Sequence, residues 1–180
     1  MKARCVVFIA TTLNGFIARK DGQIDWLNQA NLTVPSGEDC GFAKFMSTID
    51  ALVMGRNTFE QVLSFGQWPY GKTPVIVMSR SLQSLSANVP KTVSLSAEDP
   101  AILVERLSVQ GVKRIYVDGG LTIQSFLAKN LISEITVTLI PIILGSGKPL
   151  FGELAQDIHL KLMDSKSYSF GFVQNKYQVI

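Results

Sequence analysis

The chain has 180 residues, 47% of them apolar and 17% charged, with a formal net charge of +3. This length fits one domain with a sizeable core, and the composition excludes a disordered chain. With no Lys/Arg run and no basic helix face, the mild charge argues against nucleic acid as a partner and favours a small anionic ligand.

Arg4 to Thr12 reads as a buried strand, with Val6, Val7, Phe8 and Ile9 continuous. Cys5 reads there as a small buried hydrophobe. Leu13 to Leu32 has no clear period. Asn14-Gly15, Asp21-Gly22 and Trp26 mark it as a long loop with a short helical turn. So long a connection inside a compact domain is usually functional. Ser36-Gly37-Glu38-Asp39 offers N-terminal helix chemistry, followed by an apolar stripe of Phe42, Phe45, Met46 and Ile49. Cys40 lies beside Asp39, whose charge discourages a thiolate.

Ala51–Met54 is predicted as a strand and Thr58–Ser64 as a short helix. Pro69 to Lys72 makes a turn, Val75–Met78 a strand and Thr92–Leu95 a weaker one. Asp99-Pro100 pairs an N-cap with Pro at the first helical position, and Gly111 ends that helix. Lys113–Val117 is a strand and Leu121–Lys129 a helix. Then the grammar changes. Ile135–Leu144 is a long β-branched run, Gly145-Ser146-Gly147 breaks it, and strands follow near Leu160–Ser167 and Phe170–Val179. Strands alternate with helices first and follow one another last. That order predicts an α/β fold over residues 1–180, a single domain with a mostly parallel sheet and an antiparallel C-terminal hairpin.

The lone His159 reads as an exposed strand residue. No Gly-x-Ser-x-Gly elbow, no Cys/His zinc spacing and no deaminase signature (His-x-Glu with Cys-x-x-Cys) is present, so no metal is expected. The N-terminus lacks a signal-peptide pattern and no apolar run reaches membrane-spanning length. The expectation is a cytoplasmic protein with no membrane partner.

Three strands end in residues suited to phosphate: Met54-Gly55-Arg56, Met78-Ser79-Arg80 and Val117-Asp118-Gly119-Gly120. A strand that ends on Gly and opens a helix exposes backbone N–H groups without Cβ atoms in the way. Gly-Arg is also an ordinary turn, and the full Gly-x-Gly-x-x-Gly fingerprint is missing. Ser79 with Arg80 offers a hydroxyl and a guanidinium for a ribose 2′-phosphate, which favours NADP over NAD.

In this order the segments resemble the dihydrofolate reductase superfamily, in particular its bacterial branch related to the riboflavin biosynthesis reductase. The resemblance runs from Ala10 through Asn14-Gly15-Phe16-Ile17, Asp25-Trp26-Leu27, Met54–Glu60, Met78-Ser79-Arg80 and Val117-Asp118-Gly119-Gly120 to Pro141–Phe151. It implies a three-layer fold with helices on both faces of the sheet, and an NADPH-dependent reductase of a pterin- or pyrimidine-like heterocycle, of the 5-amino-6-(5-phosphoribosylamino)uracil reductase type. It implies that Ala10, Asn14, Gly15 and Ile17 lie against the nicotinamide, and that Gly55, Arg56, Asn57 and Thr58 hold the cofactor phosphates. Ser79 and Arg80 would take the 2′-phosphate, and Asp118, Gly119, Gly120, Leu121 and Thr122 the pyrophosphate at a helix start. Asp39 matches the family's substrate acid in its spacing from Gly55, and Thr138 the threonine that supports the acid. Trp26 and Phe42 would line the pocket and raise the pKa of Asp39 by burial. Asp39 also has the simpler reading of a first-turn acid favoured by the helix dipole. Asp25 stands where folate reductases commonly have Pro, and the loop from Trp26 to Asp39 is longer than theirs, so the resemblance leaves open whether folate itself is accepted. A homodimer paired through Ile135–Leu144 and the terminal strands is expected. The alternative is a non-catalytic NADP-binding or regulatory module.

Overall fold

The computed structural model describes residues 2–180. β1 (Arg4–Thr12) opens the chain, followed by β2 (Phe16–Ala18), α1 (Asp25–Asn31) and α2 (Phe42–Met46). β3 (Ala51–Gly55), α3 (Arg56–Ser64), β4 (Val75–Met78), β5 (Val93–Ser96), α4 (Pro100–Val109), β6 (Arg114–Asp118) and α5 (Gly120–Leu127) form the alternating part. β7 (Ile132–Ile140), β8 (Lys148–Pro149), β9 (Leu160–Ser167) and β10 (Val173–Val179) finish it.

Eight strands make one sheet in the order β5-β4-β3-β6-β1-β7-β10-β9. The first six in that order run parallel, and β10 pairs antiparallel with both β7 and β9. The expected fold class holds: a mostly parallel sheet carries an antiparallel hairpin at one edge, with helices on both faces. The remaining strands, β2 and β8, form a small antiparallel pair of their own. Among the described residues no helix is long and apolar enough to cross a membrane.

Alternation along the central strands builds two cores. Cys5, Val7, Val53, Ile115 and Val117 face α4 and α5, whose Leu103, Val104, Ile123 and Phe126 fill that side. Leu52, Met54, Val75, Val77 and Tyr116 face the other way, under Phe59 and Val62 of α3, with Phe42 and Phe45 of α2 alongside. A third cluster packs Trp26 of α1 against Ile140, Leu144, Tyr168 and Phe172. Burying an aliphatic side chain of this kind stabilises the fold by about 1.5–3 kcal/mol.

Two segments differ from the sequence reading. Leu13–Leu32 holds more than a loop with a short helical turn: that turn is the two-turn α1, and β2 precedes it. The helix expected just after Asp39 starts only at Phe42, because Cys40 (φ 53°) and Gly41 (φ 83°) are both left-handed.

Candidate cofactor crevice and substrate floor

β3 and β6 are parallel neighbours, with Met54 opposite Asp118. Their following helices leave toward opposite faces: α3 covers the Leu52–Met54 side and α5 the Val53–Val117 side. Helices that part in this way open a crevice above the carboxyl ends of the strands. Both helix N-termini border it, and their first N–H groups have no partner within the helix.

The crevice is built without Cβ atoms. A side chain at Gly55 would lie 2.8 Å from Thr122 Oγ1, and one at Gly119 would collide with Thr58 Oγ1. Gly119 also has φ +89°, a conformation that L residues rarely adopt. The two turns therefore interlock, each glycine against the threonine of the opposite helix. Gly120 is closed from a third direction, where an added Cβ would lie 2.7 Å from Ile17 Cδ1 and 3.3 Å from the Pro149 carbonyl. The β2–β8 pair thus sits on the α5 N-terminus. Gly15 is close to this hairpin, its carbonyl accepting from Leu150 N at 2.9 Å.

Beside the crevice, β4 ends next to β3 with Met78 opposite Gly55. Ser79 Oγ accepts from the Leu82 N–H at 3.0 Å and so shapes the following turn. Arg56 donates to Glu60 Oε1 at 2.6 Å and reaches Ser81 Oγ at 3.4 Å. Arg56, Asn57, Arg80 and Leu121 are exposed around the opening. The structure thus brings Gly55 through Thr58, Asp118 through Thr122 and Ser79-Arg80 to the carboxyl ends of three adjacent strands. Asp118 is half-buried, and its Oδ1 accepts from the Gly119 N–H at 2.8 Å. Burial pushes its carboxyl up to about 6, partly offset by that N–H.

Asn14 joins two segments. Its Nδ2 donates to the Leu144 carbonyl at 2.7 Å, and its Oδ1 accepts from Leu144 N at 3.2 Å and Thr12 Oγ1 at 2.8 Å. It fastens the loop after β1 to the segment after β7. Ala10 lies opposite Thr138, and Thr138 opposite Gln174, in a row across β1, β7 and β10. Gln174 Nε2 donates to Thr138 Oγ1 at 2.9 Å and to the Cys40 carbonyl at 3.0 Å. Trp26 is 3% exposed, and its indole N–H has no partner among the described residues. The half-buried Phe42 ring lies 5.7 Å from that of Phe8.

Asp39 requires a correction. It is exposed, and its carboxylate caps α2 by accepting from Gly41 N at 2.8 Å and Ala43 N at 2.7 Å. These N–H groups hold its pKa below the ordinary value, where burial by Trp26 and Phe42 was expected to raise it. Thr138 is bonded to Gln174, not to Asp39.

Gln174, Ser81 and Gly147 were not singled out in the sequence. An added Cβ at Gly147 would collide with the Ala18 carbonyl, so this glycine lets β2 and β8 meet. Only the break Gly145-Ser146-Gly147 hinted at it. Nothing in the sequence marked Gln174, whose position follows from an antiparallel register. Among the described residues, no cluster of His, Cys, Asp and Glu has the makings of a metal site.

The profile of the RibD C-terminal domain matches residues 4–173. YwjB of Bacillus subtilis (strain 168), an uncharacterized protein, is 33% identical over 171 residues, covering 93% of this chain and 94% of its own. The crystal structure of a Shewanella sp. PV-4 protein assigned provisionally to riboflavin biosynthesis superposes with a TM-score of 0.92 at 39% identity, covering 100% of this chain and 99% of its own. RibD of Acinetobacter baumannii shares the fold with a TM-score of 0.71 at 16% identity, covering 99% of this chain and 58% of its own.

Proposed function

The chain belongs to the RibD C-terminal domain family, and from that premise we propose that it is an NADPH-dependent reductase of a small pterin- or pyrimidine-like heterocycle. The observation that carries this reading is the interlock of Gly55 with Thr122 and of Gly119 with Thr58 at adjacent strand ends. Backbone that is barred from carrying side chains, at two converging helix starts, fits a pyrophosphate. Arg56 beside Gly55 fits its phosphates, and Ser79 and the exposed Arg80 on the neighbouring strand end fit its adenosine 2′-phosphate. When bound, the cofactor supplies a hydride.

The chain's own residues then do the positioning. Ile17 and Pro149 pack against Gly120 and fix the α5 start from the side of the β2–β8 pair. Ala10, without a bulky side chain, leaves room for two flat rings to approach across β1. Asp118, whose carboxyl burial pushes up to about 6, can exchange a proton at the crevice. A homodimer forms part of the same proposal.

Titration with NADPH and NADH tests the cofactor. Arg80→Ala should weaken NADPH by about tenfold or more, the worth of a lost charge-assisted contact, and leave NADH nearly unchanged. Equal losses would refute the 2′-phosphate assignment. A second reading, a non-catalytic NADP-binding or regulatory module, is favoured by the engagement of Asp39 as a helix cap. NADPH oxidation measured against dihydropterins, dihydrofolate and ribosylaminopyrimidine phosphates separates the two, because the module binds NADPH and turns over none of them.

A further inference from the structure

The row Ala10–Thr138–Gln174 forms the sheet surface on the β1 side of the crevice. Cys40, to which Gln174 is tied, packs against the same buried cluster around Trp26 as Ala10 and Phe16 do. The Cys40 carbonyl can only accept, so the group bonded to it is the Gln174 amide nitrogen, and the amide orientation is fixed. That nitrogen spends both protons, one on Cys40 and one on Thr138 Oγ1. Two consequences follow. Gln174 Oε1 has no donor among the described residues. Thr138 Oγ1, having accepted a proton, keeps its own to give. One fixed acceptor and one hydroxyl donor therefore stand together on a largely buried floor, where Thr138 is 5% exposed.

An acceptor beside a donor matches a neutral lactam edge, with its N–H next to its C=O. It does not match a protonated amidine edge, which offers donors only and calls for a carboxylate. Both carboxylates close by are already engaged: Asp39 accepts from Gly41 and Ala43 and is exposed, and Glu38 accepts from the Cys40 N–H at 2.6 Å.

We propose that Gln174 is the specificity-determining residue of the substrate site, selecting through its amide and the Thr138 hydroxyl a heterocycle with a neutral lactam edge over one with a protonated amidine edge. This deepens the reductase reading and rests on it. Gln174 also anchors the left-handed Cys40-Gly41 turn to the floor, so one residue sets both the hydrogen-bond pattern and the height of the pocket wall.

Calorimetric titration of the NADPH-saturated protein with 5-aminouracil and with 2,4-diaminopyrimidine, at a pH that keeps the latter protonated, tests this. The wild type should bind 5-aminouracil more tightly by about tenfold or more, the effect of leaving a buried polar group unpaired. Gln174→Glu should reverse the order. Gln174→Met should weaken 5-aminouracil by about tenfold without strengthening 2,4-diaminopyrimidine, while NADPH affinity stays at the wild-type value and reports an intact fold. If both variants keep NADPH binding and the wild-type ratio of the two probes, the inference is overturned and the reductase reading stands. Failure of the wild type to bind either probe also overturns it. If NADPH itself does not bind, the reductase reading fails, and the probe ratio without cofactor still decides the role of Gln174.

Discussion

A methyl group at position 119 would meet two separate penalties. It would collide with Thr58 Oγ1, and it would sit on a backbone at φ +89°. Gly119→Ala should therefore cost about 1–3 kcal/mol in denaturant unfolding and abolish measurable NADPH binding. Unchanged affinity would remove this turn from the cofactor site. Asp118 makes a prediction about pH. Its folded pKa is raised to about 6 by burial, so the folded protein holds that proton more tightly than the unfolded chain does. The stability it contributes is complete below the ordinary carboxylate range and is lost as pH rises through about 6. Asp118→Asn should flatten this fall, and an unchanged pH slope of unfolding would show that the carboxyl is not desolvated. At this scale much was legible. Gly55, Thr58, Gly119 and Thr122 stand where a strand–glycine–helix reading put them, because that grammar is local. Asp39 was misjudged in its surroundings because a spacing along the chain does not say which amides a carboxylate finds. The two nearest were Gly41 and Ala43, in its own turn.

Short elements depend on their ends. With only five residues, α2 leans on the Asp39 cap, and Asp39→Ala should lower stability by about 0.5–2 kcal/mol. Asp39→Asn keeps one acceptor and should lose less. A purely structural Asp39 predicts that turnover, once a substrate is in hand, is the same in Asp39→Asn and wild type. The β2–β8 pair leans on Gly147 in a similar way. Gly147→Ala should open it, seen as faster hydrogen exchange at Phe16, Ile17 and Ala18 while the β1 and β6 amides stay protected. Neither β2 nor β8 was legible in the sequence, since a strand of two or three residues is too short for a period to show. The long strands and α4 were legible to within a few residues. The Asp99 side chain accepts from Ala101 N at 2.9 Å and Pro100 opens the helix, which are the local signals that were read.

Across the whole molecule, the class of sheet could be read from the order of elements, but the order of strands could not. The expected pairing surface shows the difference. β7 lies inside the sheet between β1 and β10, so Ile135–Leu144 offers no free edge, while β9 is an outer strand exposed along its length. Leu162 and Met163 are 54% and 52% exposed there. A homodimer would use this face, and Leu162→Lys with Met163→Lys should shift the sedimentation of a dimer to that of a monomer. A monomer already in the wild type would remove the proposal. The central place of β1 has a further consequence, for the newborn chain. Within this chain β1 is made before the other described strands, yet both of its parallel partners, starting at Arg114 and Ile132, are made much later. Its apolar stretch must wait without these partners while the intervening strands and helices are synthesised. Contacts so far apart in sequence predict slow folding and make this stretch a target for a chaperone during translation.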